Sequence, residues 1–150
     1  MRRLLFLTFF IFAFTLSSQA QDEAYTDAIG IRGGPLTGIT YKRFFWPVNG
    51  VFEGIAGFNF LNGRTASFTG LYEYHLFINY NINVYGGGGT TIAFNANDFR
   101  WIAEGIVGIE LLVDTLPILI SVDIKPGWSI LDSDLVLSEA ALSVRYILHK

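Results

Sequence analysis

Along Ile118–Lys125 every second residue is a large aliphatic one. Ile118, Ile120, Val122 and Ile124 share one side, and Leu119, Ser121, Asp123 and Lys125 share the other. A period of two belongs to an extended strand, whereas a helix repeats its faces every 3.6 residues. The same phase recurs along the chain. Trp101, Ala103, Gly105, Val107, Ile109 and Leu111 oppose Glu104 and Glu110. Phe52, Gly54, Ala56, Phe58 and Phe60 oppose Glu53 and Asn59, and Ala140, Leu142, Val144 and Tyr146 oppose Glu139, Ser143 and Arg145. No stretch of twelve residues after the first twenty has clean helical spacing, so the pattern points to an all-β chain built from two-faced strands.

Eight such strands are expected: Asp27–Gly34, Gly38–Phe45, Val51–Phe60, Ala66–Leu76, Asn81–Phe94, Phe99–Leu112, Ile118–Ile130 and Leu135–Leu148. Between them fall Pro35, Trp46–Gly50, Asn62-Gly63, Asn79, Asn95–Asp98, Asp114–Pro117 and Asp132–Asp134, which are turn formers. Pro126 inside the seventh segment donates no ladder hydrogen bond, so a bulge is expected there. Gly86–Gly89 lacks the Lys-Ser/Thr of a phosphate loop. It reads as a stretch where a neighbouring side chain or backbone takes up the missing volume.

Residues 1–20 have a separate logic. Arg2 and Arg3 precede the apolar run Leu4–Leu16, and Ser17-Ser18-Gln19-Ala20 supplies small residues for a peptidase. This is a cleavable secretory signal, too short to cross a membrane as a helix, which takes about 20 apolar residues. Gln21–Asp27 is then a short polar leader, expected to be flexible, ahead of a domain spanning residues 28–150. Without Arg2 and Arg3 the remainder carries 8 basic against 13 acidic residues. That balance argues against a nucleic-acid partner. The absence of Cys excludes disulfide scaffolds, and two histidines, His75 and His149, cannot make a multi-histidine metal centre. No metal and no cofactor are expected.

Alternation does not say which face points inward. A soluble barrel buries its apolar side, whereas a membrane barrel turns it outward and fills the lumen with polar groups. Three features favour the membrane arrangement, one being that six of the eight segments reach the about 9–11 residues a tilted span needs. With an even strand number, one rim collects Phe44, Phe45, Trp46, Phe77, Tyr80 and Tyr146, and the other collects Phe60, Phe94, Phe99, Trp101 and Trp128. These resemble the aromatic girdles of two membrane interfaces. The polar side carries Arg32, Lys42, Glu53, Glu73, Glu104, Glu110, Asp123, Lys125 and Arg145, four positive and five negative charges from seven segments. Near-balanced signs suit a narrow lumen in which charges pair. Lys42 with Glu53, and Glu104 with Lys125, flank turns at matched distances, and Arg32, Asp123 and Arg145 are expected to join them into one plugging network. His75 stands two residues from Glu73 on the same face. No G-x-S-x-G accompanies it, so a structural role is expected rather than a catalytic one.

Several short stretches occur in an order that resembles the small bacterial outer-membrane β-barrel proteins, OmpA/OmpX-type in size. They are Ala28–Gly34, Gly38–Lys42, Gly70–His75, Gly108–Glu110 continuing through Leu116–Pro126, and Ala141–Tyr146. More narrowly, the chain looks like a set of single-domain barrels that directly follow a signal peptide. The resemblance implies an eight-stranded antiparallel up-and-down transmembrane barrel in the outer membrane of a Gram-negative bacterium. It also implies outer-membrane lipid and the barrel-assembly machinery as partners, a monomeric state and no defined activity. Many such barrels end on an aromatic residue, whereas this chain ends Tyr146-Ile-Leu-His-Lys150, leaving Tyr146 as the candidate. The expected function is a non-enzymatic structural or interaction element with a filled lumen. Its competitors are a palmitoyl-transferase-like lipid-modifying enzyme, a small porin-like pore and a secreted lipocalin-like carrier.

Overall fold

Two-residue alternation yields eight strands in a computed structural model that describes residues 25–45, 49–59 and 64–149. They are β1 (Asp27–Gly33), β2 (Thr37–Phe45), β3 (Gly50–Asn59), β4 (Thr65–Phe77), β5 (Ile82–Asn95), β6 (Asp98–Val113), β7 (Ile118–Ser129) and β8 (Leu135–His149). Each strand pairs antiparallel with its neighbours in sequence, and β8 returns to β1, closing the barrel. The seam runs from Asp27 opposite His149 to Gly33 opposite Leu142. Closure leaves no sheet edge open to another chain. Both described ends of the chain lie at one rim, and the β1–β2, β3–β4, β5–β6 and β7–β8 connections lie at the other.

Strand bounds differ from the expected ones by no more than one residue, and the connections are short. Asn49, Arg64 and Ser133 take positive φ angles of 53°, 53° and 56° at three of them. The expected irregularity at Pro126 is a register shift between Lys125 and Gly127 where β7 meets β8. In the glycine run, a Cβ on Gly87 would collide with the Tyr72 carbonyl oxygen, and one on Gly89 with that of Gly70. Close backbone approach of β4, rather than an aromatic ring, therefore requires glycine at both positions.

The apolar phase faces out and the charged phase faces in. Ile31, Ile39, Phe58, Phe68, Val107 and Val122 are all exposed, and together they mark a belt crossing successive strands. Arg32, Lys42, Glu53, Glu73, Glu110, Asp123 and Arg145 are buried. The interior is nevertheless layered rather than uniformly polar. Tyr25, Ala28, Phe44, Val51, Leu119 and Ile147 form an apolar layer at the terminal rim, backed by Phe77 and Leu112. Ile55, Leu71, Tyr85 and Ile106 form a second apolar cluster. The charges lie between the two. On β3 the order inward is Val51, Glu53, Ile55, and on β4 it is Phe77, His75, Glu73, Leu71, each step being the two-residue repeat of a strand.

Candidate functional site: a layered, charge-filled lumen

All nine charged residues expected on the polar side have side chains no more than 8% exposed. They divide into two groups. The larger centres on Lys42, which stands directly opposite Glu53 in the β2–β3 ladder. Its ammonium donates to Glu73 Oε2 at 2.7 Å and lies 3.6 Å from both Glu53 Oε2 and Glu110 Oε2. Arg145 reaches across from β8. It donates through Nη2 to Glu53 Oε1, through Nη1 to Ser121 Oγ at 2.7 Å and through Nε to Thr40 Oγ1 at 3.3 Å. Thr40 also donates to Glu53 Oε1. Arg32 on β1 holds Asp123 on β7 in a bidentate pair, whose Oδ2 also accepts from Tyr85 at 3.0 Å. The planar guanidinium fork suits that geometry.

Aromatic rings thread this group. Tyr25 packs edge-on against Phe44 with centroids 4.5 Å apart, and Phe44 meets the His75 ring at 4.9 Å. His75 stacks on Tyr85 at 4.8 Å, and the Lys42 ammonium sits 4.0 Å above the Tyr85 ring. His75 Nε2 lies 3.0 Å from Glu73 Oε2, so the histidine belongs to the charge layer. No serine hydroxyl is hydrogen-bonded to it among the described residues. Tyr25 donates to Glu110 Oε1 at 2.7 Å. Burial, reinforced by the Glu110 carboxylate, holds the Tyr25 phenol well above its usual pKa.

Lys125, Glu104 and Glu139 form the second group. The Lys125 ammonium donates to Glu104 Oε2 at 3.0 Å and lies 3.4 Å from Glu139 Oε2. Among the described residues, no hydrogen bond or ion pair joins this group to Arg32, Asp123 or Arg145. The expected single network is therefore divided: Glu104 and Lys125 stand apart because they lie nearer the loop-side ends of their strands, and, among the described residues, the Arg32–Asp123 pair meets the Lys42 cluster only through the Tyr85 ring.

Three further expectations need correction. Phe44 is 3% exposed and points into the barrel, and Phe77 is half-buried against the same inner layer. Phe44 shares its face with Lys42, and Phe77 shares its face with Glu73 and His75, so strand alternation itself turns both inward. The leader is not flexible at its described end. Tyr25 is fully buried and the Thr26 amide donates to the His149 carbonyl at 2.8 Å. Phe45, Tyr80 and Tyr146 are exposed toward the terminal rim, and Phe94, Phe99, Trp101 and Trp128 toward the loop rim. Trp46 and Phe60, like the segment 1–20 expected to be a signal, lie outside the described residues.

Sequence reading also missed Thr40, Asn83, Tyr85 and Glu139 as members of the interior. Glu139 already stood on the polar side of its strand. Tyr85 shares the phase of Asn83, which lies 3.5 Å from Glu110. Tyr25 lies before the first strand, where no periodicity could reveal it.

No family model, curated protein or solved structure matches this chain.

Proposed function

We propose that this chain is an integral β-barrel protein of a bacterial outer membrane, exported by a cleaved signal, whose sealed lumen makes it a structural or interaction element rather than a catalyst or a channel. The observation that carries this reading is the opposition of the two faces. Apolar side chains stand exposed on every strand, while lysine, arginine and glutamate are buried within. Exposed apolar patches on soluble monomers rarely exceed a few hundred Å². An outward apolar face repeated on strand after strand instead matches the hydrocarbon face of a membrane barrel. The surviving aromatic bands at the two rims support the same orientation.

The charge layer also weighs against the competing functions. An acyl-chain enzyme or a lipocalin-like carrier requires a long apolar cavity along the barrel axis, where this chain has Lys42, Arg145 and three glutamates. A pore requires a continuous wet path, whereas here apolar layers flank the charges.

Extraction decides the membrane setting. The mature protein is expected to stay with membranes through salt and alkaline washes and to leave them only with detergent. Recovery in buffer would instead favour the carrier. In planar bilayers the purified barrel should show no steady conductance; sustained unitary currents would favour the pore. Val122→Arg places a charge in the outward belt and should cost about 2–4 kcal/mol of stability in bilayers.

A further inference from the structure

The loop-side end of the interior differs from the sealed part. A cavity of ≈ 330 Å³ opens there. Leu36, Ala93, Ile102 and Val136 supply an apolar part of its wall, and Asn59, Thr65, Asn95, Asp98, Arg100 and Glu139 a polar part. Ala93 and Ile102 are each only 9% exposed, so they form a floor rather than a surface. Barrel mouths are a recurrent place for ligand sites, which combine about 300–1,000 Å³ with apolar walls and a few convergent polar groups.

Charge gives the cavity a preference. Asp98 and Arg100 pair with each other at 3.1 Å. Lys125, by contrast, serves two carboxylates, Glu104 and Glu139, and Glu139 is the more exposed of the two, at 21%. Glu139, a residue of the cavity wall, therefore shares its countercharge with Glu104. The remaining charges at this end, Arg64, Asp132 and Asp134, add one positive and two negative groups. Among the described residues no three His, Cys, Asp or Glu side chains converge as a metal would need.

We propose that this cavity binds a small organic cation, with an ammonium or guanidinium head at Glu139 and a short apolar stem against Ala93, Ile102 and Val136. Thr65 and Asn95 add polar groups to the wall around the head. Neither the sealed layer below nor the lipid setting is needed for this site, so it stands or falls independently of the function proposed above.

The test uses the whole barrel in a non-ionic detergent, with n-butylammonium as the probe. Saturable amide shifts confined to the cavity wall, at Thr65, Ala93, Asn95, Ile102, Val136 and Glu139, are expected in NMR titrations, and neither 1-butanol nor butyrate should reproduce them. Glu139→Gln, a conservative change at a part-exposed position, should weaken binding about tenfold, the scale of one hydrogen bond to a charged group. Ala93→Phe should fill the floor and abolish binding while the spectrum keeps its dispersion. Loss of dispersion in Ala93→Phe would leave Glu139→Gln to decide. Equal shifts with butanol, an unchanged affinity in Glu139→Gln, or no saturable shift would each overturn the proposal.

Discussion

The two halves of the barrel interior are made from the same residue types but behave differently. In the terminal half, five charges from five strands meet between two apolar layers, and Lys42, Glu53, Glu73, Glu110 and Arg145 have no exposed side-chain surface. In the loop half, Lys125, Glu104 and Glu139 keep 3%, 8% and 21% exposure, and Glu139 lines an open cavity. The difference lies in what sits above and below each charge rather than in the charge itself. An ion sealed from water depends on its partners for nearly all its stabilisation, while one beside a cavity keeps some from solvent.

The strongest way to break this comparison is Arg145→Ala. It removes the partner of Glu53 and leaves three glutamates facing Lys42 alone. A loss of about 3–5 kcal/mol is expected in denaturant unfolding from detergent, as for other buried pairs broken on one side. A loss below about 1 kcal/mol, the scale of an exposed pair, would mean that water reaches this layer.

Lys125→Ala probes the loop half and should cost less, about 1.5–3 kcal/mol. Glu104→Ala combined with Lys125→Ala should show a coupling of at least about 0.5 kcal/mol in a double-mutant cycle. Coupling near zero would show the second group to be a solvated rim. Coupling of Lys125→Ala with Arg145→Ala should be close to zero, because no contact joins the two groups. A large value there would restore the single network.

Tyr25→Phe sharpens the terminal boundary. It deletes only the hydroxyl that donates to Glu110 Oε1, an oxygen that Asn83 Nδ2 still approaches at 3.5 Å. A cost of about 1 kcal/mol is expected at neutral pH.

The smallest expected effect is the alkaline one. With the folded phenol of Tyr25 held above its unfolded value near 10, its contribution is fully present below about pH 10. That contribution is lost as pH rises from there toward the folded value. The gap between the parent and Tyr25→Phe should therefore narrow above pH 10 in parallel unfolding curves. A constant gap across that range would place the Tyr25 ring in contact with water.

Much of this arrangement was legible in the residues. Alternation along Ile118–Lys125 and Trp101–Leu111 marked the strands, and the charges on the polar phase named most of the larger group. Phe44 and Phe77 show where such reading stops. Ranked by residue type they belong with the rim aromatics, yet their phase is that of Lys42 and Glu73. Tyr25 had no phase to read. Glu139 stood on the charged side, but only the β7–β8 register, unbroken as far as Lys125 opposite Glu139, set it beside Lys125.

By itself the sequence determined the strand number, the division of each strand into an apolar and a charged face, and the antiparallel order that short turns impose, because these follow from a two-residue repeat and local turn chemistry. Only the tertiary structure decided which charges meet, since Arg145 with Glu53 and Arg32 with Asp123 are contacts across a closed lumen that depend on the register of all eight strands. Only closure, likewise, could turn apolar residues of the inner phase into layers that seal one half of the interior and leave the other half open.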